Sequence, residues 1–332
     1  MSWWIRNLLL SSAILILLLG TVCLSAAPTN EVKTNGSLVL SNDSRFIVDD
    51  EMYEKASGKQ VDQFLKEGKL VDYSYLAKHV PLLHDPQRLA PVETNFMPPP
   101  DLADRLRKST AAIGLRYLEP HKKKWNYMIA ATAFAVAPEI LSTSLHVMTI
   151  DPEMMREAQA VAITDDGEVY PITEIVATSN RGDTCLVRAP GLTLPLLPLR
   201  GGVRPGEPVW CMSHPDGFTY MFTSGEVARI SRERYDEKIP PGLHVEVTAE
   251  YCPGSSGAAV TDAAGNVVAQ VSSINNYDGF ISSDHKSVNG IVSARTCTAA
   301  EEILALTTSG TNDAIPLPSP DPLKKHRLPK PR

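Results

Sequence analysis

The sequence predicts an all-β protein, a sandwich or a pair of barrels, with helical pieces only at its flanks. Short apolar runs separated by turn residues recur from about residue 108 to about residue 295, the signature of many short strands. Helical periodicity is confined to either side of that stretch. Hydrophobic residues make up 43% and charged residues 21% of the chain, ordinary proportions for a globular protein. The 26 prolines point to extended linkers or tails.

In chain order, residues 28–48 are polar and read as a flexible leader, with glycosylation-type triplets at Asn35-Gly36-Ser37 and Asn42-Asp43-Ser44. Between 50 and 90, Val61, Phe64 and Leu65 follow the i, i+3, i+4 spacing of a helix with one buried face. Met97-Pro98-Pro99-Pro100 breaks the chain, and Asp101 is placed to cap a short helix through Lys108. Strands are expected at 111–117, 129–136, 158–164, 183–188, 209–212, 225–230, 243–248, 258–260, 267–272 and 290–293. Thr298 can cap a closing helix through Leu306, with Glu301 and Glu302 favouring its first turn. The expected organisation is an extension over 28–107, a β domain over 108–306 and a Pro-rich basic tail over 307–332.

Residues 1–27 carry an address. Arg6, the apolar run Leu8–Leu19 and the small residues Ser25, Ala26 and Ala27 have the order of a secretory signal. No acid or base lies from Leu8 to Ala27, a span just long enough to cross a bilayer, so an uncleaved membrane anchor is the rival reading. Either way the rest of the chain is expected outside the cytoplasm: secreted, periplasmic or in the cell envelope. Cys23 would leave with a signal. The remaining Cys185, Cys211, Cys252 and Cys297 permit two disulfides, or serve as small hydrophobes. No pair has zinc-ligand spacing, and no metal site is expected. The net charge of −6 lacks the basic footprint that phosphate backbones require, which excludes nucleic acid as a partner.

Peptide hydrolysis by a hydroxyl needs a nucleophile, a base, a group that orients the base, and donors for the tetrahedral oxyanion. Pro253-Gly254-Ser255-Ser256-Gly257-Ala258 enters a strand, and its glycines permit a sharp turn in which backbone amides converge on one point. Ser256 is the candidate nucleophile, although a lone Gly-Ser segment is more often an ordinary turn. Ala258 stands where an α/β-hydrolase elbow would need Gly. Upstream, the apolar stretch Ala131–Ala137 runs through Pro138 and Leu141-Ser142-Thr143-Ser144-Leu145 into His146, the candidate base. Asp183, heading Thr184-Cys185-Leu186-Val187, is the candidate orienting carboxylate. Singly, a packed histidine and a surface aspartate are the plainer readings.

Together these segments resemble the trypsin-like serine proteases, in the order His146, Asp183, Ser256 with gaps of 37 and 73 residues. Met212-Ser213-His214-Pro215-Asp216-Gly217 and Thr223-Ser224-Gly225-Glu226-Val227 are similar to the HtrA-like group. The resemblance covers about residues 108–300, departs at Leu145 and Cys185, and leaves no later segment long enough for a PDZ domain. It implies two perpendicular six-stranded β-barrels of the chymotrypsin-like kind, with an endopeptidase site in the cleft between them. His146, Asp183 and Ser256 would be the triad, and the amides of Gly254 and Ser256, with Ser255 as a further donor, would hold the oxyanion. The strand at Val271-Ser272-Ser273 would pair with substrate backbone. The substrates implied are proteins or peptides, with no cofactor and no membrane contact beyond residues 8–27. Glu250, six residues before Ser256, stands where trypsin-like enzymes carry the floor of the primary specificity pocket. A carboxylate there would favour Lys or Arg, whereas an HtrA-like pocket prefers small apolar side chains and leaves Glu250 exposed. The rival function is an exported, non-catalytic binding or scaffold protein on a decayed version of this fold, kept open by the unusual flanks Leu145, Cys185 and Ala258.

Overall fold

A computed structural model describes residues 31–34, 37–40, 46–120, 124–149, 155–234, 237–278, 291–308 and 310–313. The signal segment 1–27 with Cys23, the asparagines of both glycosylation-type triplets and the basic tail beyond Asp313 lie outside them.

The extension opens with a small sheet of β1 (Glu31–Thr34), β2 (Ser37–Leu40) and β3 (Ile47–Val48). Next come α1 (Asp50–Lys66), α2 (Tyr73–Lys78), β4 (Leu83–His84) and α3 (Pro99–Ser109). α1 starts where Asp49 accepts from the Met52 amide at 2.9 Å and ends at Gly68 in the left-handed region. Val61 is buried on its inner face, but Leu65 turns to solvent. α3 begins at Pro99 after Pro98, so Asp101 lies in the first turn and caps nothing. Leu102 and Leu106 bury its inner face completely, each contributing about 1.5–3 kcal/mol.

The first β unit comprises β5 (Thr110–Leu118), β6 (Trp125–Ala137), β7 (Ile140–Ser144), β8 (Glu157–Ile163), β9 (Val169–Pro171), β10 (Glu174–Ser179) and β11 (Thr184–Arg188). They form an antiparallel sheet in the order β10-β11-β7-β6-β5-β8-β9. The second comprises β12 (Pro208–Ser213), β13 (Met221–Glu233), β14 (Gly242–Val247), β15 (Ala259–Thr261), β16 (Val267–Asp278) and β17 (Ile291–Ala299). These close as a barrel in the order β12-β13-β14-β17-β16-β15. The chymotrypsin-like double-barrel architecture is therefore present, with one correction: the first unit is a seven-stranded half-barrel rather than a closed six-stranded one.

Within the two β units sequence periodicity misses β7, β9 and β10, and outside them it misses the short strands β1, β2, β3, β4 and β18 (Gly310–Thr311). β7 reads Ile-Leu-Ser-Thr-Ser, yet all five residues are buried, because each hydroxyl finds a partner. Ser142 donates to Gln270 Oε1 at 2.6 Å, Thr143 to Thr132 O at 2.8 Å and Ser144 to Val271 O at 2.8 Å. Gln270 and Val271 belong to β16, so the polar strand ties one β unit to the other.

α4 (Ala300–Thr307) closes the domain. Thr298 does not cap it: it lies in β17 and its hydroxyl donates to Gly182 O. β18 (Gly310–Thr311) pairs with β4, and the Asn312 side chain donates to Pro81 O and Val176 O, so residues 310–313 are part of the folded body rather than the tail. One core lies inside each β unit. A third joins Tyr53, Leu102 and Leu106 of the extension to Met212, Val267 and Ile303, which makes the extension an integral layer. All four described cysteines are free. Cys185, Cys211 and Cys297 are buried among apolar neighbours, and burial pushes the Cys211 thiol up to about 12. Among the described residues no helix is long and apolar enough to cross a membrane.

Candidate active site

β7 delivers the chain into a single tight turn, Leu145–Met148, that sets His146 where the first β unit meets the Ser256 loop of the second. Asp183 ends the β10–β11 turn with φ of 47°, a left-handed conformation that aspartate tolerates better than most residues. His146 Nδ1 lies 2.7 Å from Asp183 Oδ2, and the His146 amide donates to Oδ1 at 3.0 Å. With Nδ1 facing a carboxylate that can only accept, the proton of the neutral ring sits there and Nε2 is left as acceptor. Nε2 is 2.9 Å from Ser256 Oγ. Burial alone would push the His146 pKa down. The Asp183 charge and hydrogen bond outweigh it, and the net shift is above the ordinary histidine value.

Ser272 makes a side-chain contact beyond the backbone role expected of it. The register between β16 and β17 shifts between Val271 and Ser273, and the Ser272 hydroxyl at that point donates to Asp183 Oδ2 at 2.6 Å. Its side chain thus holds the carboxylate that holds the imidazole. No local signal distinguishes this serine from its neighbour Ser273; the contact joins positions separated by 89 residues. Val271 is a correction too. Its amide donates to Ala258 O at 2.9 Å, and its carbonyl accepts from the Gly257 amide at 2.8 Å, so it supports the Ser256 loop instead of offering a free edge. Among the described residues, the β15 ladder along that edge of β16 ends at Gln270.

Around Ser256 the direction of each peptide can be read from its carbonyl, because a trans peptide points C=O and N–H opposite ways. Pro253 O accepts from the Asp216 amide at 2.7 Å, which turns the Gly254 N–H away from that side. Gly254 O accepts from Thr132 Oγ1 at 3.1 Å, and the Ser255 N–H correspondingly donates to Cys252 O at 3.0 Å. Ser255 O accepts from the Ala258 amide at 2.9 Å and Ser256 O from the Thr132 amide at 2.9 Å. The amides of Gly254 and Ser256 donate to no acceptor among the described residues. Ser255 is therefore corrected as a donor: its amide closes the turn, and its side chain is buried with Oγ on Ser213 Oγ at 3.0 Å.

Two glycines are required here. A Cβ on Gly254, at φ 95°, would lie 2.4 Å from His214 O, and one on Gly257, at φ 86°, would lie 2.2 Å from Thr132 O. His214 is fully buried, and desolvation pushes its pKa down to about 3. Its Nδ1 is 3.0 Å from Thr132 Oγ1. Since that hydroxyl has one hydrogen and gives it to Gly254 O, the neutral His214 ring donates to it. Thr132 and His214 are thus the supports of the loop. In the sequence, His214 stands out only as part of the turn motif Met212–Gly217.

Glu250 does not floor a recess. Its side chain is 74% exposed and paired with Arg295, which is itself only 17% exposed. The adjacent Tyr251 is buried instead, its hydroxyl oxygen 2.9 Å from Ser273 O and 3.2 Å from Thr296 O.

Part of the chain matches a family of known proteins. Residues 131–269 match the trypsin-like peptidase domain. A probable periplasmic serine endoprotease, DegP-like, from Pseudomonas fluorescens is 29% identical over 139 residues, which is 41% of this chain. The chain spans only 27% of that relative's length. Among solved structures, the HtrA-type protease AlgW with a decapeptide has a TM-score of 0.49 at 19% identity, over 63% of this chain and 67% of that one. The Rv3671c protease from M. tuberculosis in its active form has a TM-score of 0.47 at 18% identity, over 70% of this chain and 99% of that one.

Proposed function

We propose, from the premise that residues 131–269 form a trypsin-like peptidase module related to the HtrA proteases, that this protein is an exported serine endopeptidase acting through an acyl-enzyme. The observation that carries the reading is the line from Asp183 through His146 to Ser256 at 2.7 and 2.9 Å, beside two uncommitted amides. His146 Nε2 takes the Ser256 proton as Oγ attacks the scissile carbonyl carbon. The carbonyl π electrons move to oxygen, where the Gly254 and Ser256 amides stabilise the charge. The tetrahedral adduct collapses, the C–N bond breaks and His146 returns its proton to the leaving amine. Water then repeats the sequence on the ester, releasing the acid and regenerating Ser256. Asp183, held by Ser272, keeps the tautomer and stabilises the transient imidazolium. Substrate backbone would add along β16 past the stretch that β15 covers.

Export is supported by the charged, apolar and small-residue order of residues 1–27 and by the matching relative, which is described as periplasmic. Extension 28–107, protease 108–306 and the tail remain the proposed organisation, with the tail's start moved past Asp313. A fluorophosphonate probe tests the function. It should label the wild type on serine and spare Ser256→Ala, which should lose about 10⁴–10⁶ in turnover. Absence of labelling in folded wild type would favour the non-catalytic scaffold, and a fully active Ser256→Ala would refute the assignment of the nucleophile.

A further inference from the structure

The Gly254 amide faces outward because Asp216 holds the Pro253 carbonyl, so whatever fixes Asp216 fixes the oxyanion site. Asp216 lies in a turn, residues 215–220, that is poorly suited to standing alone. Asp216 at φ 50°, Gly217 at 82° and Tyr220 at 57° are all left-handed, and two of the three carry a Cβ. Within the turn, the Phe218 amide donates to Pro215 O at 2.8 Å. Two of its residues, Thr219 and Tyr220, are tied to the extension. Asp50 Oδ1 accepts from both the amide and the hydroxyl of Thr219, at 2.8 and 2.7 Å. Tyr53, one helical turn further along α1, has its hydroxyl 3.2 Å from that of Tyr220 and donates to Thr164 O at 2.8 Å. Tyr220 in turn stands edge-on to His214, with ring centroids 4.7 Å apart.

We infer that Asp50, in the extension and 169 residues from Thr219, is a positioning residue for the oxyanion site. The inference rests on the proposed peptidase reading. Thr219 is 7% exposed, so without the carboxylate its amide and hydroxyl are left buried and unpaired, and the turn relaxes toward commoner dihedrals. Relaxation withdraws the Asp216 amide, and the Pro253–Gly254 peptide is then free to rotate its N–H out of the site. The ground-state contacts along β16 are untouched, so the loss falls on kcat and not on KM. An extension of this kind keeps the oxyanion site assembled from within the chain.

Three variants test it in the full chain: Asp50→Leu, Asp50→Asn, whose Oδ1 still accepts both bonds, and Gln60→Ala, which removes another anchor of α1, the bond to Gly167 O at 2.9 Å. Peptide-resolved hydrogen exchange over 252–257 and peptide hydrolysis are measured side by side. Asp50→Leu should raise exchange over 252–257 about tenfold and lower kcat about tenfold, with KM within about twofold. Asp50→Asn and Gln60→Ala should do neither. Wild-type exchange over 252–257 in Asp50→Leu, or the same kcat loss in Gln60→Ala, would overturn the inference. Exchange decides the coupling even if the wild type cleaves nothing, an outcome that would overturn the proposed function instead.

Discussion

Gly254→Ala isolates the oxyanion donor from the rest of the site. The added Cβ would stand 2.4 Å from His214 O and 2.9 Å from the Asp216 amide nitrogen. Ordinary contact begins at 3.4 Å, so the loop must open by about 1 Å. His214 cannot yield readily, since it is buried and its amide donates to Thr132 Oγ1 at 3.2 Å. Movement therefore falls on the Pro253–Gly254 peptide, whose N–H leaves its place. Losing one oxyanion donor costs about 10²–10³ in kcat, and a misplacement of about 1 Å is of the same order. Alanine at φ 95° adds about 1–2 kcal/mol of backbone strain, lowering Tm by about 2–4 °C per kcal/mol for a domain of this size. The assay is steady-state hydrolysis of a peptide ester, paired with inhibition by a peptidyl boronate that mimics the tetrahedral adduct. We expect kcat to fall by two to three decades and the boronate to weaken in parallel, with KM changed little. A kcat within about threefold of wild type, together with unchanged boronate affinity, would show that the Gly254 amide is not an oxyanion donor.

Other outcomes follow from the same geometry. Because Asp183 raises the His146 pKa and only the neutral imidazole accepts the serine proton, kcat/KM should fall as pH drops through a midpoint above the ordinary histidine value of about 6.5. A flat profile between pH 5 and 8 would remove His146 as base. Ser272→Ala removes a hydrogen bond from Asp183, so the carboxylate becomes a stronger partner for imidazolium and the acid limb should move to higher pH, with kcat lowered about tenfold. An unmoved limb would deny Ser272 that role. Glu250→Gln should leave residue preference unchanged in a mixed peptide library, since the carboxylate is exposed and paired with Arg295. Loss of a Lys or Arg preference in that variant would restore Glu250 to the pocket.

What the sequence determined by itself is the class of architecture and the identity of the groups that meet. Most strands were legible because alternation of apolar and turn residues acts within a few positions, and Gly254 and Gly257 marked a turn that side chains could not enter. His146, Asp183 and Ser256 were legible only as a conjunction, in an order and spacing that a shared family motif makes recognisable. β7 was not legible, because its Ser142, Thr143 and Ser144 look like a loop until their hydroxyls find Gln270, Thr132 and Val271. Only the tertiary structure decided which amides stay free, that Ser255 turns inward, that Ser272 serves Asp183, and that Glu250 faces solvent. The physical reason is separation along the chain. The direction of the Pro253–Gly254 peptide and the partners of these polar side chains are chosen by groups 37 to 169 residues away, whose approach depends on how two β units and a helical extension close on one another, whereas a strand's pattern is written in its own residues.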